Sequence, residues 1–303
     1  MADLRTKIGP LELKNPVTVA SGTYGYGTEY KDLCPPGKLG AAFLKGITIN
    51  PRGGNLTPRI VETPCGMLNA IGLQNVGLDR LIHEKLPALD NIDGVFIANI
   101  SGETVEEFVE IAAALDSAPN LAALEVNVSC PNVKAGGMSF GVSSEAVREI
   151  TRKVREATSL PIIVKLSPNV TDITHIAIAA EEGGADAISL INTLLGMVID
   201  IDKRRPVLGN VTGGLSGPAI RPVAVRMVWH VFNVVNIPVI GMGGIFNTRD
   251  ALEFFLAGAS AISIGTGLFH DPSLPLKIID ELNEYLDENG IRNISEITGK
   301  LEV

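Results

Sequence analysis

Short apolar runs rich in β-branched residues recur along this chain, at residues 17–20, 42–45, 95–99, 124–128, 162–166, 187–191, 239–241 and 261–264. Between most of them the apolar positions shift to the 3.6-residue period of an amphipathic helix, over residues 78–89, 105–115, 144–157, 173–182, 219–234, 248–257 and 276–286. Strand-helix alternation of this kind predicts a parallel sheet. Eight strands predict one that closes into a (β/α)8 TIM barrel, an α/β fold, with an open doubly wound sheet as the alternative. The first crossover, residues 22–39, offers only a short helix near residues 29–33. Residues 4–16 read as an N-terminal β-hairpin turning at Gly9-Pro10 and plugging one end of the barrel. No linker or low-complexity tract interrupts the pattern, so residues 1–303 are expected to form a single domain.

Two connections are longer than a crossover needs. Residues 46–77 carry several prolines and glycines and then Asn69-Ala-Ile-Gly-Leu-Gln-Asn75; residues 194–218 carry Lys203-Arg204-Arg205 and then Thr212-Gly-Gly-Leu-Ser-Gly-Pro218. Long loops in a compact domain are usually functional, and in a barrel both rise over the C-terminal mouth. That mouth is where barrel enzymes assemble their chemistry. The predicted strands end there in Ser21-Gly22, Lys45-Gly46, Asn99, Asn127, Lys165, Asn192-Thr193, Gly243-Gly244 and Gly265-Thr266. Turn propensity explains some of the glycines and asparagines. It does not explain two lysines and three asparagines ending apolar strands. The glycines after the seventh and eighth strands match a barrel's phosphate cradle, whereas Gly241-Met-Gly-Gly lacks the remainder of a dinucleotide fingerprint.

Composition narrows the partners. With 46% hydrophobic residues the chain can bury a large core, and a formal charge of −9 argues against nucleic acid or an anionic membrane surface. Any phosphate must then be held by backbone N–H groups and a few placed cations. Cys34, Cys65 and Cys130 are scattered, suggesting neither a disulfide framework nor a metal cluster, and the four histidines show no metal spacing. With no apolar leader or membrane-length run, a cytoplasmic setting is expected.

The stretch with the most chemistry runs from Leu124 to Gly137. Leu124, Val126 and Val128 alternate with Glu125, Asn127 and Ser129, whose polar face points into a core and needs partners there. Cys130 sits where strand becomes loop. A lone cysteine is most often inert packing, but this one precedes a segment with Gly136, Gly137 and Gly141 that reads as a hinged lid. It is the candidate base or nucleophile. Lys165 and Lys45 face an anionic cofactor or substrate, form a Schiff base, or snorkel to the surface.

With Asn127-Val-Ser-Cys130-Pro-Asn132, Lys45-Gly46, Val-Lys165-Leu-Ser-Pro, Ile-Asn192-Thr193, Gly-Gly-Leu-Ser-Gly217-Pro, Gly-Met-Gly243-Gly244 and Gly265-Thr266-Gly in order along its length, the chain resembles the dihydroorotate dehydrogenases. Cysteine in the base position is similar to class 1, and Met67-Leu-Asn69-Ala-Ile-Gly72-Leu73-Gln-Asn75 resembles the 1B catalytic subunit. The resemblance implies FMN over the barrel mouth, with its phosphate at Gly243, Gly244, Gly265 and Thr266. Ser21, Gly46, Asn99, Ile191 and Gly217 would line its ring and ribityl chain. Lys165 would stand by the pyrimidine edge of the flavin, and Lys45 and Asn127 would touch cofactor and substrate alike. Dihydroorotate or orotate would be held by Lys45, by Asn69, Ala70, Ile71, Gly72 and Leu73, and by Asn127, Asn192 and Thr193. Cys130 would remove the C5 proton while hydride passes from C6 to the flavin. A partner subunit carrying FAD and a [2Fe–2S] cluster would pass electrons to NAD, with two catalytic chains forming a homodimer inside a heterotetramer. The alternatives are a fumarate-dependent 1A enzyme, a Schiff-base lyase or aldolase using Lys165 or Lys45, and a barrel that binds a phosphometabolite without catalysis.

Overall fold

The computed structural model describes residues 2–129, 134–135 and 138–302. Eight parallel strands close a barrel: β1 (Val17–Val19), β2 (Ala41–Phe43), β3 (Phe96–Ile100), β4 (Ala123–Asn127), β5 (Ile162–Lys165), β6 (Ala187–Leu190), β7 (Val239–Met242) and β8 (Ala261–Ile264). Each pairs with its neighbours in sequence, and β8 pairs with β1 through Ile262↔Val17. The expected (β/α)8 architecture is therefore the observed one.

Helices at Val105–Leu115, Ser144–Ala157 and Ile173–Glu182 have the bounds their periodicity predicts. Val105–Leu115 buries Phe108, Ile111, Ala112 and Leu115, the i, i+3, i+4, i+7 stripe of a core-facing helix, and the Thr104 hydroxyl accepts from Glu107 N–H at 3.3 Å to cap it. Two predicted elements differ. Residues 78–89 form three pieces, an α turn at Leu78–Arg80, a π segment at Leu81–Lys85 and a 3-10 turn at Pro87–Leu89. Pro87 has no N–H to continue an α ladder and its ring crowds the preceding turn, so Leu86 N–H reaches back five residues to Leu81 C=O at 2.9 Å. The helix expected near residues 29–33 is a series of turns. Glu29 folds its carboxylate back to accept from the N–H groups of Tyr26 at 2.8 Å and Thr28 at 3.2 Å, and the helical turn comes later, at Pro36–Lys38.

Strand pairing sets what fills the barrel. Because side chains alternate in and out along each strand, the register stacks inward residues in layers drawn in turn from even and odd strands. The lowest even layer is Ala41, Ala123, Ala187 and Ala261, all buried. Four methyl groups cannot fill that end, and the N-terminal hairpin completes it. Its strands, Thr6–Ile8 and Leu11–Leu13, bring Ile8 and Leu13 into one cluster with these alanines and with Phe43, Ile97, Ile163 and Ile240. The expected plug is thus formed by two side chains. At the opposite end the two long connections pair with each other. Strands Leu194–Gly196, Gly213–Ser216, Gly66–Asn69 and Ile60–Thr63, in that order, make one antiparallel sheet above the mouth. No helix among the described residues is long and apolar enough to cross a membrane.

Candidate active site

Towards the mouth the inward layers turn polar. Above the alanines and isoleucines the register places Glu125 and Ser189, then Asn99 and Lys165, and finally Lys45, Asn127, Ile191 and Gly265. The strand parity that buries Ile163 against the plug therefore also aims Lys165 upward, two residues later on the same face.

Glu125 is fully buried, and its carboxylate accepts from Asn99 Nδ2 at 2.5 Å and from the Ser189 hydroxyl at 2.6 Å. Above it, Asn127 Oδ1 accepts from the Ser129 hydroxyl at 2.5 Å, and Ser129 Oγ accepts from Asn192 Nδ2 at 2.5 Å. The polar face of β4 points inward as its alternation predicts. Its partners, however, are largely protein groups. Ser101 Oγ and Ser263 Oγ are buried without a hydrogen bond among the described residues, and two further groups bear on the mouth. Asn99 Oδ1 is buried without a hydrogen bond, and the Lys165 ammonium, on a residue 6% exposed, has no ion pair or hydrogen bond with any described residue. Lys45 is half-buried at the rim; burial lowers its pKa, opposed by the charge of Glu29. Lys45 and Lys165 thus bring two cations to the mouth, beside the carboxylates of Glu29 and Glu125.

The glycines form a cradle. The backbone N–H groups of Gly243, Gly244, Gly265 and Thr266 make no hydrogen bond within the described chain. Gly243 has φ +127° and packs by Ile191, while Gly244 has φ +77° and lies against Gly217 C=O. The Thr266 hydroxyl bonds to Ser216 Oγ at 2.8 Å, tying the end of β8 to the cap, and Ser21 follows Ala20, whose N–H donates to Ile264 C=O. The loop Asn69-Ala70-Ile71-Gly72-Leu73 enters from the cap: Asn69 pairs with Gly214, Gly214 in turn packs on Thr193, and Leu73 (φ +51°) flanks Gly46. A Cβ on Gly46 would lie 2.7 Å from Asn99 Oδ1, so a side chain there would have to displace the Asn99 amide.

The structure thus gathers the candidate residues of all eight strand ends and both long loops at one mouth. Cys130 lies outside the described residues, as do Gly136 and Gly137 of the expected lid. Gly141 serves a close approach: it is buried, and a Cβ there would come 2.5 Å from Val128 C=O. Of the histidines, His83 and His175 lie exposed on the outer helical layer, beside Asp79 and Asp172. Four residues of this mouth, Glu125, Ser129, Ser189 and Ser216, are not among the site residues expected from the sequence. Glu125 and Ser129 carried a signal, since they share the inward face with Asn127; Ser189 and Ser216 carried none.

An eight-stranded barrel with a free N–H cradle, a buried lysine and convergent amides at its C-terminal mouth defines the class: a barrel enzyme with its polar groups gathered where such barrels carry their chemistry. A profile of the family described as dihydroorotate dehydrogenase matches residues 3–286, and the chain belongs to that family. It is 57% identical over 297 residues to a protein of Desulforamulus reducens, covering 98% of both chains. It is 53% identical over 303 residues to one of Bacteroides thetaiotaomicron, covering 100% of both, and 56% identical over 299 residues to one of Geotalea uraniireducens, covering 99% of this chain and 98% of the other. Each of the three is named dihydroorotate dehydrogenase B (NAD(+)), catalytic subunit.

The residues fit FMN, the flavin the sequence leads one to expect. Free N–H groups suit its phosphate, the unpartnered Asn99 oxygen suits a donor on the ligand, and the Lys165 ammonium suits the ring edge that gains negative charge on reduction.

Proposed function

We propose that this chain is the catalytic subunit of an NAD-linked dihydroorotate dehydrogenase, oxidising dihydroorotate to orotate in pyrimidine biosynthesis. The observation that carries the reading is Lys165, a buried lysine left without a protein partner among the described residues at the centre of the mouth. Such a group is costly unless a ligand completes it. FMN, when bound, supplies the hydride acceptor. Gly243, Gly244, Gly265 and Thr266 would hold its phosphate through backbone N–H groups. Ser21, Gly46, Asn99, Ile191 and Gly217 would line its ring and ribityl chain, and Lys165 would offset negative charge at the ring. Lys45, Asn127, Asn192, Thr193 and the 69–73 loop orient the substrate, whose alternating N–H and C=O groups match amide side chains. Cys130 takes the C5 proton, which requires its thiolate form.

Electrons leave through a second protein carrying FAD and a [2Fe–2S] cluster. The scattered cysteines of this chain do not suggest a cluster site, and the full-length relatives carry the name of a catalytic subunit. Exposed apolar side chains at Leu195, Met197, Ile199 and Ile201, in the same connection as Lys203, Arg204 and Arg205, support a protein contact there. Two catalytic chains pair within the resulting heterotetramer, a mass that sedimentation would measure. The isolated chain should purify yellow or become so on FMN addition, bleach with dihydroorotate under anaerobic conditions, and reduce artificial acceptors but not NAD. A colourless protein that ignores FMN would sink the flavin reading; rapid fumarate reduction without added protein would replace the partner with the 1A alternative. Borohydride trapping of substrate on Lys165 or Lys45 would establish the Schiff-base alternative.

A further inference from the structure

The buried Glu125 carboxylate lies beneath the residues assigned to ligand. It is fully enclosed, on the inward face of β4, and bridges β3 and β6 by accepting from Asn99 Nδ2 and Ser189 Oγ. Glu125 uses each of its oxygens as an acceptor, Oε1 for the Ser189 hydroxyl and Oε2 for the Asn99 amide. It therefore dictates which way the Asn99 amide turns: nitrogen down to Glu125, oxygen up. The upward oxygen is the one buried without a partner, and it lies where a Cβ on Gly46 would almost touch it, which aims it at the mouth.

We propose that Glu125 is a positioning residue that fixes the Asn99 carbonyl oxygen toward the bound flavin, so that this point of the mouth presents an acceptor and selects a ligand N–H or O–H. The inference rests on the reading of the mouth as an FMN site. A neutral amide at position 125 keeps the volume but can donate as well as accept, which lets Asn99 flip and present its NH2 group instead. Ser189 contributes one of the two donors to Glu125 without touching Asn99, so its hydroxyl separates orientation of the amide from packing of the cluster.

The test compares FMN affinity of apo-protein, read by flavin fluorescence quenching, together with melting of the apo-protein. Glu125→Gln should bind FMN about tenfold more weakly, the scale of one hydrogen bond to a charged or well-oriented group, with apo melting close to wild type. Ser189→Ala should stay within about twofold in FMN affinity, because the Asn99 contact remains. The paired exchange Glu125→Gln with Asn99→Asp reverses donor and acceptor: the amide introduced at position 125 donates upward to the carboxylate introduced at position 99, whose second oxygen again faces the mouth. That exchange should recover most of the affinity. Unchanged affinity in Glu125→Gln, equal losses in Glu125→Gln and Ser189→Ala, or no recovery in the exchange would each overturn the assignment. Should Glu125→Gln fail to fold, the exchange and Ser189→Ala still decide it. Wild-type protein that binds no FMN would instead refute the flavin reading itself.

Discussion

Replacing Lys165 with Met deletes the buried charge while keeping an unbranched apolar stem. A ligand charge about 4 Å from an ammonium interacts by about 4 kcal/mol at an effective dielectric near 20. If that charge arises at the flavin only on reduction, the loss falls on the reduced state. For a two-electron couple about 1.4 kcal/mol corresponds to 30 mV, so the midpoint potential should drop by on the order of 90 mV. Stability should move the other way. The Lys165 side chain is buried and has no hydrogen bond or ion pair with a described residue, so its removal from apo-protein breaks no such contact and leaves an apolar stem in an enclosed position. Lys165→Met should therefore stabilise the apo-protein, by about 1 kcal/mol or more. Dye-linked anaerobic titration measures the potential, and denaturant melts of apo-protein measure the stability. An unchanged potential would place Lys165 away from the flavin ring. A destabilised apo-protein would show that the ammonium is satisfied by groups of the protein itself.

Three further outcomes are expected. Cys130→Ala should retain FMN yet lose most flavin reduction by dihydroorotate, and wild-type activity should rise on the alkaline side of neutrality given an ordinary thiol pKa of about 8.5; stopped-flow reduction at the wild-type rate would remove Cys130 from the chemistry. Gly265→Ala should leave apo-protein stability nearly unchanged, since the added Cβ meets Ala20 only at 3.6 Å, but should weaken FMN binding by crowding the cradle; tight FMN binding would move the phosphate elsewhere. Lys45 has a folded pKa below its ordinary value because of burial, so the unfolded chain binds more protons between the lowered pKa and the ordinary lysine range. Its contribution is a penalty below that window and is relieved as pH rises through it, so the stability gained by Lys45→Met in apo-protein should shrink toward alkaline pH, a trend that melts over a pH series would check.

The barrel was legible because its signal is local. Each strand is an apolar run, each helix a periodic one, and three helices ended at the expected residue because a cap or a break in pattern stands there. Elements failed where a side chain's alternative bond outweighed propensity, as with Glu29 in the first crossover, or where Pro87 forced a wider turn. The candidate site was legible as a set of strand ends. Which atoms remain free was not, because satisfaction depends on partners far away in sequence. Glu125 and Ser189 are 64 residues apart, and Asn127 reaches Asn192 only through Ser129. A sequence shows that Asn99 and Glu125 are polar; only the register places one below the other.

The cap sheet should be among the last parts of the molecule to form. Its central pair joins Gly66–Asn69 to Gly213–Ser216, and the Ser216 hydroxyl contacts Met67 C=O across 149 residues of chain. Closing a loop that long costs entropy that local contacts do not repay, so the strand-helix units, with their short-range pairing, should consolidate first. The substrate loop at 69–73 and Gly217 both extend from this late-pairing sheet. A chain stalled before the cap zips together would hold a nearly complete barrel and still lack half of its binding mouth. Acquisition of ligand-binding competence should accordingly trail burial of the barrel interior in refolding, and synthesis on the ribosome should leave the site unfinished until more than two-thirds of the chain has emerged.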